Sequence, residues 1–396
     1  MESPWKPYLK ENILDPYPMY KALRDYEPIH RARTGEWVVT EYEAARSILK
    51  DSRFLVGNRA AWLEKASTQH LDKWESFSVI VDALKSFVVF KNPPDHTLLR
   101  KFIMQAWNNR EVDAIIKGNI DAIFNTLDPT RFDLATELAA PLPAMTMTKI
   151  LGLPIEDYKY LENLSHEMIH SLDLYLTFRQ IERMKNATEE FAAYFEKFAA
   201  DKLKNPDDSL LSRLVHLNKD QQIPHHELMG NCFFLFIAGE ETTAGLIELG
   251  LYHLILNEEL NKSFQEQKIP SLATEELLRF DSPAQIVVRI ASEECEIARH
   301  KFEKEAAVTI CLGAANRDPG KFERPDELIL DRTPNHHLAF ASGIHRCLGD
   351  WLAKREFEIL LDELTTRFNR FELLSQPVWK ENLNMRSLRS LYISCR

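Results

Sequence analysis

One cysteine near the C-terminal end of the chain stands in a setting that restricts what the protein can bind. Cys347 follows a turn that contains glycine and precedes a helical pattern that starts near Trp351. Backbone N–H groups and the positive end of a helix would both favour a thiolate at this position. Phe340 lies seven residues before the cysteine and His345 lies two residues before it. A thiolate that is open on one side, next to an aromatic ring, suits a flat iron macrocycle better than a compact four-ligand metal site.

Other interpretations of this cysteine stay open at this point. A free cysteine is most often a small buried apolar residue. His336, His337 and His345 could also join Cys347 in a compact metal cluster, because imidazole and thiolate both bind transition metals. The five cysteines of the chain are odd in number and include no Cys-x-x-Cys pair, so neither a disulfide framework nor a zinc ribbon is indicated.

Length and composition describe a globular protein with a core large enough to enclose a cofactor. The chain has 396 residues, of which 45% are hydrophobic and 28% are charged, and no linker divides it, so we expect one domain over residues 1–396. The net charge of −11 argues against a general nucleic-acid binder. No apolar run approaches the length of a membrane span and the N-terminus lacks a signal-peptide core, which predicts a cytoplasmic protein without a membrane span.

The longest helical pattern, over residues 225–257, is predicted to form a central helix of roughly 30 residues. An apolar run in its middle, residues 233–237, ends at Ala238 and Gly239, whose lack of side-chain bulk leaves room for a bound partner. Two carboxylates and two hydroxyls follow directly, at residues 240–243. Buried acids cost free energy unless they are paired or used chemically, so this helix is a candidate for chemistry.

Three basic side chains stand where they could bind an anion. Asp95 is predicted to be the N-cap of a helix on which His96 and Arg100 lie four residues apart, on one face. Arg289 is the one charged residue of an apolar strand pattern at residues 285–290, and it therefore needs an anion.

Four segments resemble, in the same order, the signatures of the cytochromes P450, and the resemblance covers nearly the whole chain. Residues 340–349 resemble the cysteine-ligated haem loop of that family. Residues 238–243 resemble its oxygen-binding groove, with Glu241 and Thr242 at the acid and alcohol positions, while Glu240 is expected on a polar face or at the surface.

The other two segments lie between them. Glu276 and Arg279 are three residues apart on a predicted helix, a spacing that alone indicates only a solvated surface pair. In this context they resemble the buried Glu-x-x-Arg pair of the family, which Arg332 would complete, and residues 315–319 match a further family segment.

Two residues depart from the family pattern. Ala341 replaces a glycine of the haem loop, and an alanine there disfavours the positive φ that glycine permits. Asp350 stands where small residues are usual.

The resemblance implies a mainly α-helical fold with a smaller β-rich portion, and haem b (iron protoporphyrin IX) held between the central helix and the helix after the cysteine. The implied haem-binding residues are Cys347 as the iron ligand, Phe340, Ala238 and Gly239 beside the ring, and His96, Arg100, Arg289 and His345 as partners of the two propionates. The implied catalytic residues are Glu241 and Thr242, which would deliver protons.

The same resemblance implies a monooxygenase that inserts one oxygen atom from O2 into a hydrophobic small molecule, similar to soluble bacterial P450s that act on fatty-acyl, macrolide or other natural-product substrates. No flavin or ferredoxin domain fits in the remaining residues, so a separate ferredoxin or flavodoxin with its NAD(P)H-dependent reductase would supply electrons. Arg346, Lys354 and Arg355 are expected to attract such an acidic donor, and Asp350 is expected to oppose it.

Two alternative functions fit the same haem loop. A peroxide-driven peroxygenase would usually carry Arg and Pro in place of the acid–alcohol pair, so Glu241 and Thr242 favour O2. A non-enzymatic haem sensor or carrier would bind haem and gases but would oxidise nothing when electron donors are present.

Overall fold

The chain divides into two compact units in the computed structural model, which describes residues 3–57, 60, 74–172, 176–220, 222–266 and 269–396. Unit 1 comprises Met1–Gly57, Ala122–Ala139 and Thr242–Arg396. Unit 2 comprises Asn58–Asp121 and Ala140–Glu241. Unit 1 is therefore assembled from three separate stretches of sequence.

Helices dominate the described residues, and the mainly α-helical prediction is confirmed. The α-helices are α1 (Lys10–Leu14), α2 (Tyr17–Tyr26), α3 (Tyr42–Lys50), α4 (Trp74–Ser86), α5 (Asp95–Ala106), α6 (Val112–Phe124), α7 (Pro141–Leu151), α8 (Tyr158–Met168), α9 (Phe178–Lys204), α10 (Leu210–Leu217), α11 (His225–Leu256), α12 (Glu258–Gln265), α13 (Ala273–Phe280), α14 (Leu312–Ala315) and α15 (Asp350–Arg367). Short 3-10 helices span Val88–Phe90, Ile155–Asp157, Ile169–Leu172, Asn218–Asp220 and Gly343–His345, and a π-helix spans Leu134–Ala139.

The strands of the described residues all belong to unit 1 and form the predicted smaller β-rich portion. They are β1 (Ile29–Arg31), β2 (Trp37–Val39), β3 (Phe54–Val56), β4 (Phe132–Asp133), β5 (Ile286–Ala291), β6 (Cys295–Ile297), β7 (His300–Phe302), β8 (Ala307–Cys311), β9 (Phe371–Leu373), β10 (Val378–Trp379), β11 (Leu388–Ser390) and β12 (Tyr392–Cys395). The largest sheet has the order β1-β2-β8-β5-β3, with β2 and β8 parallel and the other neighbours antiparallel. A second sheet has the order β4-β12-β9, and β6–β7 and β10–β11 form two-stranded ribbons.

Several predicted elements appear where the sequence indicated them. The central helix is observed as α11, and the strand pattern around Arg289 is observed as β5.

The predicted N-cap at Asp95 is wrong by one residue. Pro94 occupies the N-cap of α5, Asp95 is the first helical residue, and no side chain caps this end. Pro94 supplies the fixed φ that suits a helix start, although it offers no capping oxygen.

A hydrophobic core joins the five-stranded sheet to α3. Ile48 and Leu49 of the helix pack with Phe54, Phe302 and Ile310 of the strands, and each of these side chains is at most 5% exposed. This packing fixes the position of Leu49, the residue against which the loop before Cys347 turns.

The helix α11 has 32 residues and is about 48 Å long at 1.5 Å per residue. Its side chains are buried along most of its length, as Phe236, Ile247 and Leu254 illustrate with 0% exposure. A helix whose side chains are buried on nearly every face is typical of a core element. No helix among the described residues is long and apolar enough to cross a membrane.

The Glu-x-x-Arg pair of α13 is buried, as the sequence predicted. Glu276 and Arg279 are both 0% exposed and share two hydrogen bonds, of 2.7 Å and 2.8 Å. Arg332 donates from Nε to both carboxylate oxygens of Glu276 at 3.1 Å and 3.0 Å. Asn335 adds a fifth hydrogen bond to Glu276, at 3.1 Å, so the network fixes the segment that leads to the cysteine loop.

A second buried network in unit 1 has no counterpart in the sequence predictions. The carboxylate of Asp281 accepts hydrogen bonds from Nε of Arg386 at 2.9 Å and from the hydroxyl of Tyr17 at 2.7 Å, and it lies 2.9 Å from Nε2 of His253. Burial by itself would raise the pKa of Asp281, but the charge of Arg386 and the contact with His253 outweigh it and hold this pKa well below its usual range. The network joins residues that lie far apart in sequence.

Candidate active site

The loop before α15 presents Cys347 at the surface of unit 1. The backbone N–H of Cys347 donates to the carbonyl of Phe340 at 3.0 Å, and that of Arg346 donates to the carbonyl of Gly343 at 3.1 Å. Cys347 is exposed, whereas the other four cysteines of the chain are buried. The helix α15 begins three residues later, so its N-terminal dipole lies near the thiol.

Two residues of this loop adopt left-handed backbone conformations. Ala341 has φ 55° and Gly343 has φ 75°. The sequence put a positive φ at Ala341 in doubt, but the loop adopts it. The left-handed conformation of an alanine costs roughly 1–2 kcal/mol. Ala341 is held in place by the hydrogen bond from its N–H to the carbonyl of Leu338, at 2.8 Å, and by packing against the core of sheet and α3.

The second departure, Asp350, forms local contacts. It is the first residue of α15, where a negative charge interacts favourably with the helix dipole. Its Oδ2 accepts hydrogen bonds from Nη2 and Nε of Arg346 at 2.6 Å and 3.1 Å. Lys354, one turn further along, donates to Glu275 at 2.9 Å. Arg355, the third cation expected to attract an electron donor, lies 3.8 Å from Glu358, so all three are balanced by carboxylates of the same unit.

The compact metal cluster considered for residues 336–347 is not formed. Nε2 of His337 lies 2.7 Å from Oε2 of Glu275, and this contact, together with Lys354, holds the pKa of Glu275 down at about 2 against the effect of burial. Among the described residues, the ligand atoms of three or more such side chains converge only at His166, Glu240 and Glu241.

Arg289 provides a test of whether unit 1 suits the anionic edge of a haem. It is 5% exposed in the sheet, where it faces Val308 of β8 and Val56 of β3 across the strands. Its Nη1 donates to the carbonyl of Val288 at 2.9 Å, and no carboxylate of the described residues lies within ion-pair distance of it. Burial lowers the pKa of Arg289 to about 10. A buried guanidinium of this kind fits a ligand that brings its own carboxylate.

The predicted cations of unit 2 lie on α5. His96 is 2% exposed and Arg100, one turn later, is half-buried, as the i and i+4 spacing predicted. Burial lowers the pKa of His96, and the charge of Arg100 lowers it further. At neutral pH His96 is therefore a neutral hydrogen-bonding group and Arg100 supplies the charge. In unit 1, His345 is half-buried in the short helix before the cysteine.

The middle of α11 combines open and buried positions. Ala238 is exposed and Gly239 and Thr242 are half-buried, although their neighbours in the helix are buried. A Cβ atom at Gly239 would lie 2.7 Å from Sδ of Met147, so a larger residue there would require the flexible methionine side chain of α7 to shift. The accessible face at Ala238 and Thr242 is where a bound group would meet this helix.

The prediction for Glu240 is wrong, and a histidine beside it was missed. Glu240 is 0% exposed, and its Oε2 accepts a hydrogen bond from Oγ of Ser165 at 2.8 Å. Burial raises the pKa of Glu240 to about 8, the charge of Glu241 raises it as well, and His166 and Ser165 act in the opposite direction. Glu241 is also buried and lies 3.1 Å from Nε2 of His166. No sequence signal could have identified His166, because its contact with Glu241 depends on how α8 packs against α11.

Comparison with known proteins places this arrangement in a family. The sequence model described as "Cytochrome P450" matches residues 23–268 and 271–390. The polyketide biosynthesis cytochrome P450 PksS of Bacillus subtilis (strain 168) is 31% identical, over 98% of each chain. The biotin biosynthesis cytochrome P450 of the same organism is 30% identical, over 92% of this chain and 91% of that protein.

Solved structures give the same result for the fold. The crystal structure of CalO2 superposes with a TM-score of 0.90 over 100% of this chain and 99% of that one, at 24% identity. The structure of P450BioI in complex with hexadec-9Z-enoic acid ligated acyl carrier protein superposes with a TM-score of 0.87 over 98% and 99%, at 28% identity.

The fold and the family define a haem-thiolate oxygenase, an oxidoreductase that binds haem b through a cysteine thiolate. The chain belongs to the cytochrome P450 family. Its predicted fold, cofactor and monooxygenase class are therefore confirmed.

Proposed function

We propose that Cys347 is the iron ligand and that the protein uses O2 to hydroxylate a hydrophobic substrate that carries a long acyl or polyketide-type chain. The observation that supports the ligand most directly is that Cys347 is exposed before a helix N-terminus, while the other cysteines are buried. Burial raises the pKa values of Cys232, Cys311 and Cys395, which makes these thiols poor thiolates.

Four side chains are assigned to the propionates of the haem. Arg289 and His345 of unit 1 and His96 and Arg100 of unit 2 supply two permanent charges and two imidazole donors. The support comes from Arg289, a buried guanidinium without a carboxylate partner among the described residues. Phe340 would lie beside the thiolate, since its carbonyl accepts the N–H of Cys347.

Haem, when bound through a thiolate, supplies the activation of O2. The protein's own contribution on the opposite side is to position protons. Glu241 is held by the imidazole of His166 at 3.1 Å, and Thr242 follows it on the accessible face of α11. A carboxylate that is anchored by an imidazole and followed by a hydroxyl can pass a proton from the interior toward a ligand at Ala238. The acid–alcohol pair also supports O2 over peroxide as the oxidant.

The substrate class rests on relatives. PksS is named for polyketide biosynthesis, and P450BioI is described in complex with an acyl carrier protein that bears hexadec-9-enoic acid. The second name gives a long apolar acyl chain on a carrier protein, and we extend that substrate class to this chain. Free hexadecenoic acid and the same acyl group on a carrier protein therefore serve as probes, and a shift of the haem absorption band on binding measures each. If neither shifts the band while an unrelated apolar ligand does, the acyl assignment is wrong.

The electron donor is assigned to the face of unit 1 around Arg346. A cavity of about 630 Å³ opens there and is lined by Arg46, Lys50, Lys321 and Arg346 among other residues. Arg46 and Lys321 each lie 3.4 Å from Glu43 and Arg346 pairs with Asp350, whereas Lys50 has no carboxylate partner among the described residues. The charge of Lys50 is therefore the one that would attract an acidic ferredoxin or flavodoxin. Reduction followed by stopped flow should slow as ionic strength rises and should slow further in Lys50→Glu. Rates that are insensitive to both changes place the donor elsewhere.

The ligand assignment is tested with two serine variants. Reduced protein with CO should show the strongly red-shifted absorption band of thiolate ligation, and Cys347→Ser should lose that band. Cys295→Ser, which changes a buried cysteine of the same unit, is the control and should keep it. A Cys347→Ser protein that retains the band overturns the assignment.

A second experiment tests the oxidant. Product formed with O2 and reduced donor, but not with peroxide alone, separates the monooxygenase from the peroxygenase. Absence of product with either oxidant identifies a haem carrier.

A further inference from the structure

An imidazole and two consecutive carboxylates lie together in unit 2. Nε2 of His166 on α8 lies 3.1 Å from Oε2 of Glu241 and 4.0 Å from Oε1 of Glu240 on α11. One ligand atom from each of these three side chains lies within 4.8 Å of the other two. In the part of the chain that the structure describes, no other histidine, cysteine and carboxylate side chains meet this spacing in threes.

Burial makes this group different from the acidic clusters of an ordinary protein surface. Glu240 is 0% exposed and Glu241 is 4% exposed, while the side chain of His166 keeps 35% of its surface. Oε2 of Glu240 accepts from Ser165, but the buried Oε1 accepts no hydrogen bond from any described residue and faces the imidazole. A buried carboxylate oxygen without a donor requires either a proton or a cation.

The distances suit a small transition metal ion. Zinc binds nitrogen and oxygen ligands at about 2.0–2.2 Å, so that two ligands of a tetrahedral site lie roughly 3.3 Å apart. The 3.1 Å between His166 and Glu241 already matches this value, and the 4.0 Å to Glu240 needs a side-chain movement of less than about 1 Å. The side chain of His166 is 35% exposed, so the group is in contact with solvent on the side of the imidazole.

The ligand types select among metals. Calcium and magnesium prefer sites made of oxygen alone, whereas imidazole together with carboxylate is a common donor set for zinc. The two positive charges of the ion would also balance both carboxylates of Glu240 and Glu241, whereas a single shared proton would balance only one of them.

We propose that His166, Glu240 and Glu241 form a binding site for zinc or a similar divalent transition metal ion, in addition to the haem iron. The site connects α8 to α11 within unit 2. Its existence does not depend on the role of Glu241 in catalysis, although a bound ion would occupy that carboxylate.

Zinc binding to the haem-containing protein tests the proposal. Equilibrium dialysis against micromolar zinc, followed by elemental analysis, should find one zinc per chain that is lost in His166→Ala and Glu240→Gln. The expected weakening exceeds the roughly 10–100-fold that loss of an outer-shell partner causes. His225→Ala is the matched control, because it removes an exposed imidazole that lies 2.8 Å from the carboxylate of Glu196 in the same unit, and it should bind zinc like the unaltered protein.

The outcomes separate a lost ligand from a lost fold. Glu240→Gln keeps the size of the side chain and an oxygen that can accept from Ser165, so its haem spectrum and thermal unfolding should stay close to those of the unaltered protein. Equal zinc binding by all four proteins places the ion elsewhere and overturns the proposal. Loss of zinc in His225→Ala alone, or no zinc bound by the unaltered protein, overturns it as well. Displacement of the zinc by a thousandfold excess of Mg²⁺ contradicts the choice of a transition metal.

Discussion

The carbonyl oxygen of Leu49 lies 2.2 Å from the position that a Cβ atom at Gly343 would occupy. The haem loop thus turns against the backbone of α3, and backbone cannot move aside as a flexible side chain can. Ala341, two residues earlier, has a similar positive φ but carries a Cβ that packs against the core. Two positions with the same backbone conformation therefore tolerate side chains differently.

Gly343→Ala should destabilise the protein by more than about 2 kcal/mol, since it adds a steric clash to the roughly 1–2 kcal/mol of left-handed strain. Ala341→Gly should change stability by less than about 1 kcal/mol, because relief of strain is offset by lost packing and by the backbone entropy of glycine. Denaturant unfolding of the holoproteins measures both. Equal effects of the two substitutions would contradict the contact with Leu49.

Arg279→Lys should destabilise unit 1 by about 3–5 kcal/mol, because lysine cannot reproduce the paired hydrogen bonds and leaves Glu276 buried without them. Arg324→Lys is the matched control. Arg324 also pairs with a glutamate three residues away, Glu327, at 3.0 Å, but both side chains are more than half exposed. Its substitution should cost less than about 1 kcal/mol. Chemical denaturation measures the free energy of unfolding of both variants. Similar losses in Arg279→Lys and Arg324→Lys would show that burial does not make the first ion pair more important.

Arg289→Gln should have opposite effects on the two forms of the protein. Removal of a buried charge should stabilise the apoprotein, while loss of the partner of a propionate should speed haem release by roughly 10–100-fold. Transfer of haem to an acceptor protein and thermal unfolding of the apoprotein provide the measurements. Arg389→Gln, on the exposed part of β11, is the control. A slower or unchanged haem release in Arg289→Gln excludes the propionate contact.

Ionisation of buried Glu240 should lower the stability of the protein as pH rises from about 5 to 8. This carboxyl has a pKa of about 8 in the folded state and an ordinary pKa near 4.5 when unfolded, so the folded state binds more protons in that interval. Glu240→Gln should remove this part of the pH dependence, on the order of a few kcal/mol. Unfolding should be followed with a chelator present so that no metal competes with the proton. An unchanged slope would show that Glu240 is ionised at neutral pH.

Thr242→Ala should retain haem and substrate binding but divert reducing equivalents to hydrogen peroxide, because the hydroxyl that follows Glu241 is lost. Product per NAD(P)H should fall, and the general acid–base contribution typically amounts to about 10²–10⁴-fold in rate. Thr243→Ala removes the neighbouring hydroxyl, which is buried, and should leave the coupling unchanged. If both variants couple as well as the unaltered protein, Thr242 has no part in proton delivery.

The sequence predicted those features that depend on neighbours along the chain. The exposed thiol before a helix, the i and i+4 pair on α5 and the long central helix all follow from spacing within one element. The pair of Glu276 and Arg279 was recognised only through its resemblance to a family motif, because the spacing alone fits an exposed pair equally well.

Other features depend on which elements pack together. Glu240 was expected on a polar face because nothing in α11 indicates that Ser165 and His166 cover it, 75 and 74 residues earlier in the chain. The carboxylate of Asp281 meets Tyr17 and Arg386 across 264 and 105 residues. Such contacts leave no local periodicity, so reasoning from one sequence cannot find them.

Assembly of unit 1 from three separated stretches has a consequence for synthesis on the ribosome. Residues 58–121 and 140–241, which make up unit 2, all emerge before Asp281 does, whereas Asp281 must wait for Arg386. At roughly 5–20 residues per second, translation takes about 7–30 s to proceed from the end of unit 2 to that arginine. For the last 105 residues of this interval, from Asp281 to Arg386, the nascent chain carries the aspartate of the network without the arginine that completes the buried cluster, and the cysteine loop is added before that arginine as well.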